Sequence, residues 1–197
     1  MMRRVVLASL LGVGACGLSE RPFVERRQWP LIVRRPTVRP PRAHGRVLLV
    51  QSVRANAELT GRGLITLQTD GSMRTSFYEE WAVPPAQAIE DDLRQWLAGS
   101  GLYAAVLAPG SRLSADIVLD ATLLAFWANL KTNRARVSLG LVLLDQRRGA
   151  VRILLQKTVT AEANLASADP PAIVAALRAA LVEVLQMTEQ ALAPSAR

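Results

Sequence analysis

The sequence has little of the residues on which catalytic and metal sites depend. Its 197 residues contain one cysteine, Cys16, and one histidine, His44. One cysteine cannot form an intrachain disulfide, and one residue of each type cannot build a Cys/His zinc site. His44 lies in a proline-rich segment, a poor place for a rigid base, and there is no GxxxxGK[ST] loop for ATP. We therefore expect no enzymatic activity, no cofactor and no metal.

Aromatic residues and lysines are also scarce. Aromatics make up 5% of the chain against 50% hydrophobic residues, so the core has to be mainly aliphatic. Basic residues exceed acidic ones by eight, and all but Lys131 and Lys157 are arginines. Such charge suits nucleic acid, an anionic membrane surface or a biased genome. Because the arginines are scattered and no nucleic-acid motif organises them, no nucleic-acid partner is expected.

The carboxylates show no catalytic arrangement in the sequence. Acidic residues are adjacent at positions 79–80 and 90–92. Paired catalytic carboxylates must face each other across a substrate, and adjacency along the chain does not supply that geometry. We interpret the first pair as exposed charge at a strand end and the second group as charge near a helix N-terminus.

The first fifteen residues have the three parts of a secretory signal. Arg3 and Arg4 are followed by an apolar run over residues 5–13 and by the small residues Gly14 and Ala15. The run is too short to span a bilayer, which takes about 20 apolar residues. The sequence predicts that residues 1–15 are a cleaved signal peptide.

Residues 13–16, Val-Gly-Ala-Cys, resemble the lipobox of bacterial lipoproteins. The resemblance implies cleavage before Cys16 and attachment of diacylglycerol to its thiol. The alternatives are an ordinary secretory signal with a chance cysteine, or a buried N-terminal strand. By analogy with enterobacterial sorting, Gly17 after the cysteine favours the periplasmic face of the outer membrane over the inner membrane.

Residues 16–45 are predicted to be a connecting arm. Five prolines exclude a continuous helix, and seven arginines are interleaved with them. Residues 29–33 have the pattern of a short edge strand. The arm either contacts anionic headgroups or peptidoglycan, or is a solvated tether between lipid and domain, the interpretation that we favour.

Residues 46–193 have the pattern of a folded domain. Asp70 and Gly71 between two β-type runs predict a hairpin. Helical periodicity after Pro84 and after Asp169 predicts two amphipathic helices. Period-two alternation in three runs between residues 117 and 156 predicts an antiparallel meander. We predict an α+β fold: a mostly antiparallel sheet, meander plus hairpin, with both helices on one face.

One segment resembles a known family. Residues 76–85, Ser-Phe-Tyr-Glu-Glu-Trp-Ala-Val-Pro-Pro, lead into the first helix, and Ser-Gly-Leu-Tyr follows it at 100–103. This order is similar to that of the ABC-type transport auxiliary lipoprotein family, the lipoprotein partners of MCE-type lipid transport systems. The matching residues are Tyr78, Trp81, Ala82, Pro84, Ser100, Gly101 and Tyr103.

The resemblance implies a non-enzymatic role beside an ABC permease, an ATPase and a periplasmic MCE protein. The domain would dock on that assembly while Cys16 holds it to the membrane, and a homo-oligomer is possible. Candidate interface residues are Tyr78, Trp81, Phe126 and Trp127. Alternatively, the first two pack the hairpin on the helix and the last two are exposed by chance at a strand end. Competing functions are a lipoprotein that supports an outer-membrane barrel, as in lipopolysaccharide export, and a module that binds anionic lipid or peptidoglycan.

Overall fold

A computed structural model describes residues 24–147 and 151–196. The predicted signal peptide and the predicted lipidation site, Cys16, lie outside the described residues. The described residues form nine strands and two α-helices. The strands are β1 Arg27–Trp29, β2 Val47–Val50, β3 Arg54–Ala55, β4 Gly63–Leu67, β5 Met73–Trp81, β6 Ala105–Leu107, β7 Ile117–Asn129, β8 Arg134–Asp145 and β9 Arg152–Asn164. The helices are α1 Pro85–Ala98 and α2 Pro170–Leu192.

Strand β7 organises the sheet. On one edge it pairs antiparallel with β8, which pairs antiparallel with β9. Along its other edge it pairs in parallel with three short strands in succession, β2, β3 and β4. Strand β6 lies outside β2, β5 lies outside β4, and β1 lies outside β5 at one margin of the sheet. The margin on the other side is β9.

The predicted sheet type is therefore right only in part. The β7–β8–β9 meander and the β4–β5 hairpin are antiparallel as predicted, but the whole sheet is mixed, with five parallel pairings. Parallel partners are joined by long crossovers, so their pairing leaves no local sequence signal. Turn residues and alternation reveal only the strand pairs that are joined directly.

Both helices begin where the sequence predicts and form one core with the sheet. Pro84 precedes α1, Gly99 ends it, and the Asp169 carboxylate accepts a hydrogen bond from the Ala172 backbone N–H at the start of α2. By length and composition, the stretch Pro170–Ala196 is the one helix among the described residues that could cross a membrane. Half of its most apolar window is nevertheless buried inside the domain. Its apolar stripe packs on the sheet beside alternate residues of β7 and β8.

The arm does not behave as a solvated tether in its described part. Residues 30–45, here called the strap, lie across the helix layer, and Leu31 and Val33 belong to the core. The Arg39 backbone N–H donates to the Gly99 carbonyl and the Arg42 N–H to the Tyr103 carbonyl, each at 2.9 Å. The preference for a tether is wrong for this segment, because apolar side chains between its prolines are buried. The domain thus begins at β1 and not at residue 46.

Candidate docking surfaces

The sheet has one face without helices. In β8, Ala135, Val137, Leu139, Leu141 and Leu143 are buried in the core. Since successive side chains of a strand point to opposite faces, the residues between them lie on the other side of the sheet. Those positions of β8 and their neighbours on β7 and β9 form a surface that no described element covers, here called the open face.

Two grooves lie on the open face. The larger has a volume of about 640 Å³ and is lined by Leu67, Leu124, Trp127 and arginines of β8. The second has a volume of about 490 Å³ and contains Leu124, Asp120 and Gly140. Leu124 lines both grooves. It sits at a β-bulge, where the pairing of β7 with β8 shifts register between Leu123 and Ala125.

Gly140, which pairs with Thr122 beside this bulge, lies against the Leu124 side chain between the two grooves. A Cβ atom on Gly140 would lie 3.3 Å from Leu124 Cδ1, closer than ordinary van der Waals contact. Glycine at this position therefore leaves room for the Leu124 side chain, which lines both grooves.

The larger groove is positively charged at one end. Arg134 and Arg136 both approach the Glu162 carboxylate, at N–O distances of 3.8 and 3.2 Å. One carboxylate between two guanidinium groups leaves a net positive charge. Ser138 is buried beside them and its hydroxyl lies 2.7 Å from the Thr160 hydroxyl. The groove thus combines an apolar wall with a positive rim, which suits a partner that offers an apolar side chain next to an acidic one.

The four predicted interface residues differ in how exposed they are. Trp81 and Phe126 are only 1% and 2% exposed, and their rings pack at 5.4 Å between centroids. Their proposed role at an interface has to be corrected, because neither presents a surface to a partner. Tyr78 is 45% exposed and Trp127 lines the larger groove. Phe77, which sequence reasoning passed over, is more exposed than any of the four.

An ionisable group holds the strap on α1. Asp92 is 5% exposed, and its carboxylate accepts a hydrogen bond from the Val33 backbone N–H at 3.3 Å. Burial is the main cause that raises the pKa of Asp92 to about 6, and the negative charge of neighbouring Asp91 raises it further. The hydrogen bond from the Val33 N–H acts in the opposite direction and lowers this pKa. The sequence interpretation of Asp92 as charge near a helix N-terminus needs correction, because Asp92 lies in the middle of α1 and the strap covers it.

An arginine of the strap binds both helices. The Arg35 guanidinium forms an ion pair with Glu189 of α2 at 2.7 Å and lies 5.7 Å from the Trp96 ring centroid. The Trp96 indole N–H donates to the same carboxylate at 2.9 Å. Arg178 of α2 also donates to the Pro30 carbonyl. These contacts fix the strap at several points, so it is a rigid part of the domain.

Replacing Asp92 with asparagine is expected to flatten the pH dependence of stability. The folded-state pKa of Asp92 is raised above its ordinary value of 3.8, so its ionisation destabilises the fold. Stability is greatest below the ordinary pKa, falls as pH rises through about 4 to 6, and stays lower above. The full pKa shift corresponds to a loss of at most about 3 kcal/mol in the free energy of unfolding. Asparagine keeps an oxygen that can accept a hydrogen bond from the Val33 N–H, but it carries no charge. Urea unfolding at a series of pH values measures this.

The control for this measurement is Glu183→Gln. Glu183 is exposed on α2 and is not among the groups that shift the pKa of Asp92, so its loss should leave the pH profile nearly unchanged. Equal profiles for wild type and Asp92→Asn would contradict the role of Asp92.

Tyr103, Glu79 and Glu80 are further polar residues that are at least partly buried. Tyr103 is buried, its hydroxyl has no hydrogen-bond partner, and burial raises its pKa. Glu79 accepts a hydrogen bond from the Trp29 indole N–H at 2.7 Å, and Glu80 pairs with Arg26 at 3.5 Å, so both carboxylates hold β1 on β5. Within residues 24–147 and 151–196, no three His, Cys, Asp or Glu side chains are grouped so that they could hold a metal ion.

Comparison with known protein families decides what kind of protein this is. The model of a family described as the ABC-type transport auxiliary lipoprotein component matches residues 31–187, from the strap to the last turns of α2. The chain belongs to the ABC-type transport auxiliary lipoprotein family. This auxiliary lipoprotein is thus a membrane-anchored component of the cell envelope that serves ABC-type transport. The match begins at Leu31, in agreement with the burial of that residue in the core.

Solved structures share the fold of this auxiliary lipoprotein. A protein of Xanthomonas campestris superposes with a TM-score of 0.73 at 22% identity, over 86% of this chain and 97% of that one. An uncharacterized protein gives a TM-score of 0.63 at 15% identity, over 83% and 98% of the two chains. A hypothetical protein of Chlamydia trachomatis gives 0.50 at 14% identity, over 75% and 98%. No curated protein matches the sequence.

Proposed function

We propose that this auxiliary lipoprotein is a non-enzymatic docking subunit of an MCE-type ABC lipid transport system. Lipid on Cys16 anchors it to the periplasmic face of the outer membrane, and the domain binds the periplasmic MCE protein, which works with the permease and the ATPase. The observation that carries the proposal, given the family, is the open face. Helices cover one side of the sheet, whereas the other side offers two grooves on three long paired strands.

The open face has the properties of a preformed binding surface. Strands β7, β8 and β9 are hydrogen-bonded along 12 or 13 residues each, so their side chains are held in fixed positions. Binding to such a surface costs little conformational entropy, because the site is already ordered before the partner binds. Trp127 in the larger groove, flanked by Arg134 and Arg136, is the kind of residue that dominates interface energetics.

The proposal gives the side chains singled out from the sequence a positioning role and no catalytic one. His44 is exposed at a turn of the strap, with a φ of 59°, and no acid orients it. The buried carboxylate of Asp92 is occupied by the strap. The proposed work of the protein is therefore to hold the transport assembly at a fixed place relative to the membrane.

The strap makes that place well defined. A solvated arm over residues 16–45 would allow the domain to lie up to about 100 Å from the anchor at full extension. Because β1 and the strap belong to the fold, only nine residues separate Cys16 from Arg26. The ten Cα-to-Cα steps from Cys16 to Arg26 span at most about 36 Å, so the domain stays close to the bilayer that carries the anchor.

Affinity purification from gently solubilised membranes tests the proposal. We expect the MCE protein, the permease and the ATPase to be recovered with the wild-type lipoprotein. Trp127→Ser should weaken that recovery by about tenfold or more, as for a central aromatic of an interface. Arg136→Glu provides a second test, since Arg136 is half exposed and its loss does not disturb the core.

Arg112→Glu is the control, because Arg112 is exposed in the loop before β7 and outside both grooves. Unchanged recovery with both groove variants would refute docking at the open face. Recovery of a β-barrel protein in place of the transporter would instead favour a role in outer-membrane assembly.

A further inference from the structure

An aromatic patch lies at the β1 margin of the sheet, away from the open-face grooves. Phe77 is 62% exposed and Tyr78 45% exposed, and their rings meet edge to face at 5.2 Å between centroids. Two neighbouring exposed aromatic rings are unusual on a surface in contact with water alone. We define the aromatic patch as Phe77 and Tyr78 together with Arg26, which covers one of them.

The chain enters the fold at this patch. The Arg26 guanidinium lies 4.0 Å above the Phe77 ring and pairs with Glu80 at 3.5 Å. The next residues form β1, which runs parallel to β5 and is fixed by the hydrogen bond from Trp29 to Glu79. The segment that leads back to Cys16 therefore starts at the patch and from no other part of the domain.

The distance to the anchor places the patch within reach of the bilayer. The nine residues between Cys16 and Arg26 let these two residues lie at most about 36 Å apart, and any less extended conformation brings the patch nearer. A short link of this kind gives an effective concentration of order millimolar, so even a weak surface affinity is sufficient for contact. This step rests on the anchoring at Cys16 given under the proposed function.

The chemistry of the patch suits a headgroup layer. Aromatic rings with a polar edge, such as tyrosine, prefer the boundary between hydrocarbon and water. The stem of an arginine side chain can lie along an apolar surface while its guanidinium group binds phosphate. Each arginine near an anionic membrane contributes about 1 kcal/mol to the free energy of binding. Around the patch four basic residues, Arg26, Arg27, Arg62 and Arg74, outnumber three carboxylates, Glu25, Glu79 and Glu80.

We propose that the aromatic patch is a membrane-contact surface that seats the domain on the anionic headgroups of its own bilayer. The β1 margin then faces the membrane. Because β9 forms the opposite margin of the same sheet, it points toward the periplasm. The lipid fixes the position of the domain, and the patch fixes its orientation.

Vesicle binding by the unlipidated chain tests the patch independently of Cys16. The chain that starts at Gly17 contains every described element of the fold, from β1 to the last turn. We expect it to cosediment with vesicles of phosphatidylethanolamine containing one third phosphatidylglycerol. Binding should weaken severalfold between about 0.05 and 0.5 M salt, as screening increases. Phe77→Ser combined with Tyr78→Ser should reduce binding by about tenfold.

The matched control is Ile153→Ser, because Ile153 is 60% exposed on β9 at the opposite margin. It removes a similar exposed apolar side chain and should leave vesicle binding unchanged. Equal binding by wild type and the Phe77/Tyr78 double variant would overturn the proposal. So would a double variant that keeps its vesicle binding but loses the transporter components, since the patch would then belong to a protein interface.

The lipidated protein offers a direct readout, because the chain has only two tyrosines. Tyr78 is half exposed and Tyr103 is 2% exposed, so an aqueous iodination reagent should modify Tyr78 in the detergent-solubilised protein and spare Tyr103. In the same vesicles we expect iodination of Tyr78 to fall severalfold. An unchanged rate in vesicles would contradict membrane contact even where mass spectrometry finds lipid on Cys16. Absence of lipid with full vesicle binding by the unlipidated chain would instead contradict only the anchor.

Discussion

Trp81→Ala is expected to lower the free energy of unfolding by about 3 to 5 kcal/mol, as for other buried aromatic residues cut to alanine. Trp81 is fully buried at the end of β5, and its ring packs on Phe126 of β7. The substitution leaves a cavity between the hairpin and the central strand. Urea unfolding monitored by circular dichroism measures the loss.

Trp127→Ala is the matched comparison for that experiment. Trp127 lies on the open face and is only partly buried, so its removal should cost much less than the loss of Trp81. Its effect should appear instead in the recovery of transporter components. A stable Trp81→Ala protein that no longer binds the transporter would show that Trp81 serves an interface and not the core.

Cys16→Ser is expected to move the protein from the membrane to the soluble fraction or to leave it as an uncleaved precursor. Serine lacks the thiol that receives diacylglycerol, and each buried CH₂ of an acyl chain contributes about 0.8 kcal/mol to membrane binding. The loss of two or three chains is far larger than the contribution of any surface patch. Metabolic labelling with palmitate and alkaline extraction of membranes measure the change.

Gly17→Asp gives a control for this result, since it keeps the cysteine. It should retain the lipid and, if enterobacterial sorting applies, shift the protein to the inner membrane. A Cys16→Ser protein that resists alkaline extraction would mean that the anchor lies elsewhere. That outcome would remove the short link on which the orientation by the aromatic patch depends.

Local patterns predicted the elements that depend on neighbouring residues. The hairpin around Asp70 and Gly71, both helices and the β7–β8–β9 meander all follow from turn chemistry and periodicity. Parallel pairing of β2, β3 and β4 with β7 depends on strands brought together through long crossovers, so no local pattern could show it. The strap was missed for a related reason. Prolines and arginines indicated an open arm, whereas Leu31 and Val33 are buried only because α1 and α2 lie under them.

Whether a candidate site residue is buried or exposed depends on the side of the strand on which it lies. Strict alternation from Ile117 would have placed Trp127 inside and Phe126 outside. The bulge at Leu124 adds one residue, reverses the order and leaves Trp127 on the open face. A second register shift, between Gly63 and Ile65 of β4 opposite β5, similarly obscured which aromatic of β5 would be exposed. Sequence alone does not give the positions of bulges, so it could not tell which of the four candidate aromatics are buried in the core and which are exposed.

The position of β7 also sets the order in which this protein can fold after export. Secretion delivers the N-terminal strands first, yet β2, β3 and β4 pair with the central strand only when β7 has emerged, and Val47 and Asp116, which are hydrogen-bonded, are 69 residues apart. Until β6 and β7 arrive, the apolar segment Val47–Val50 has no neighbour in the sheet. Closure of such long loops slows folding and exposes unpaired strands to aggregation. Holdase chaperones of the envelope would therefore have their main task in the interval between the arrival of β2 and that of β7.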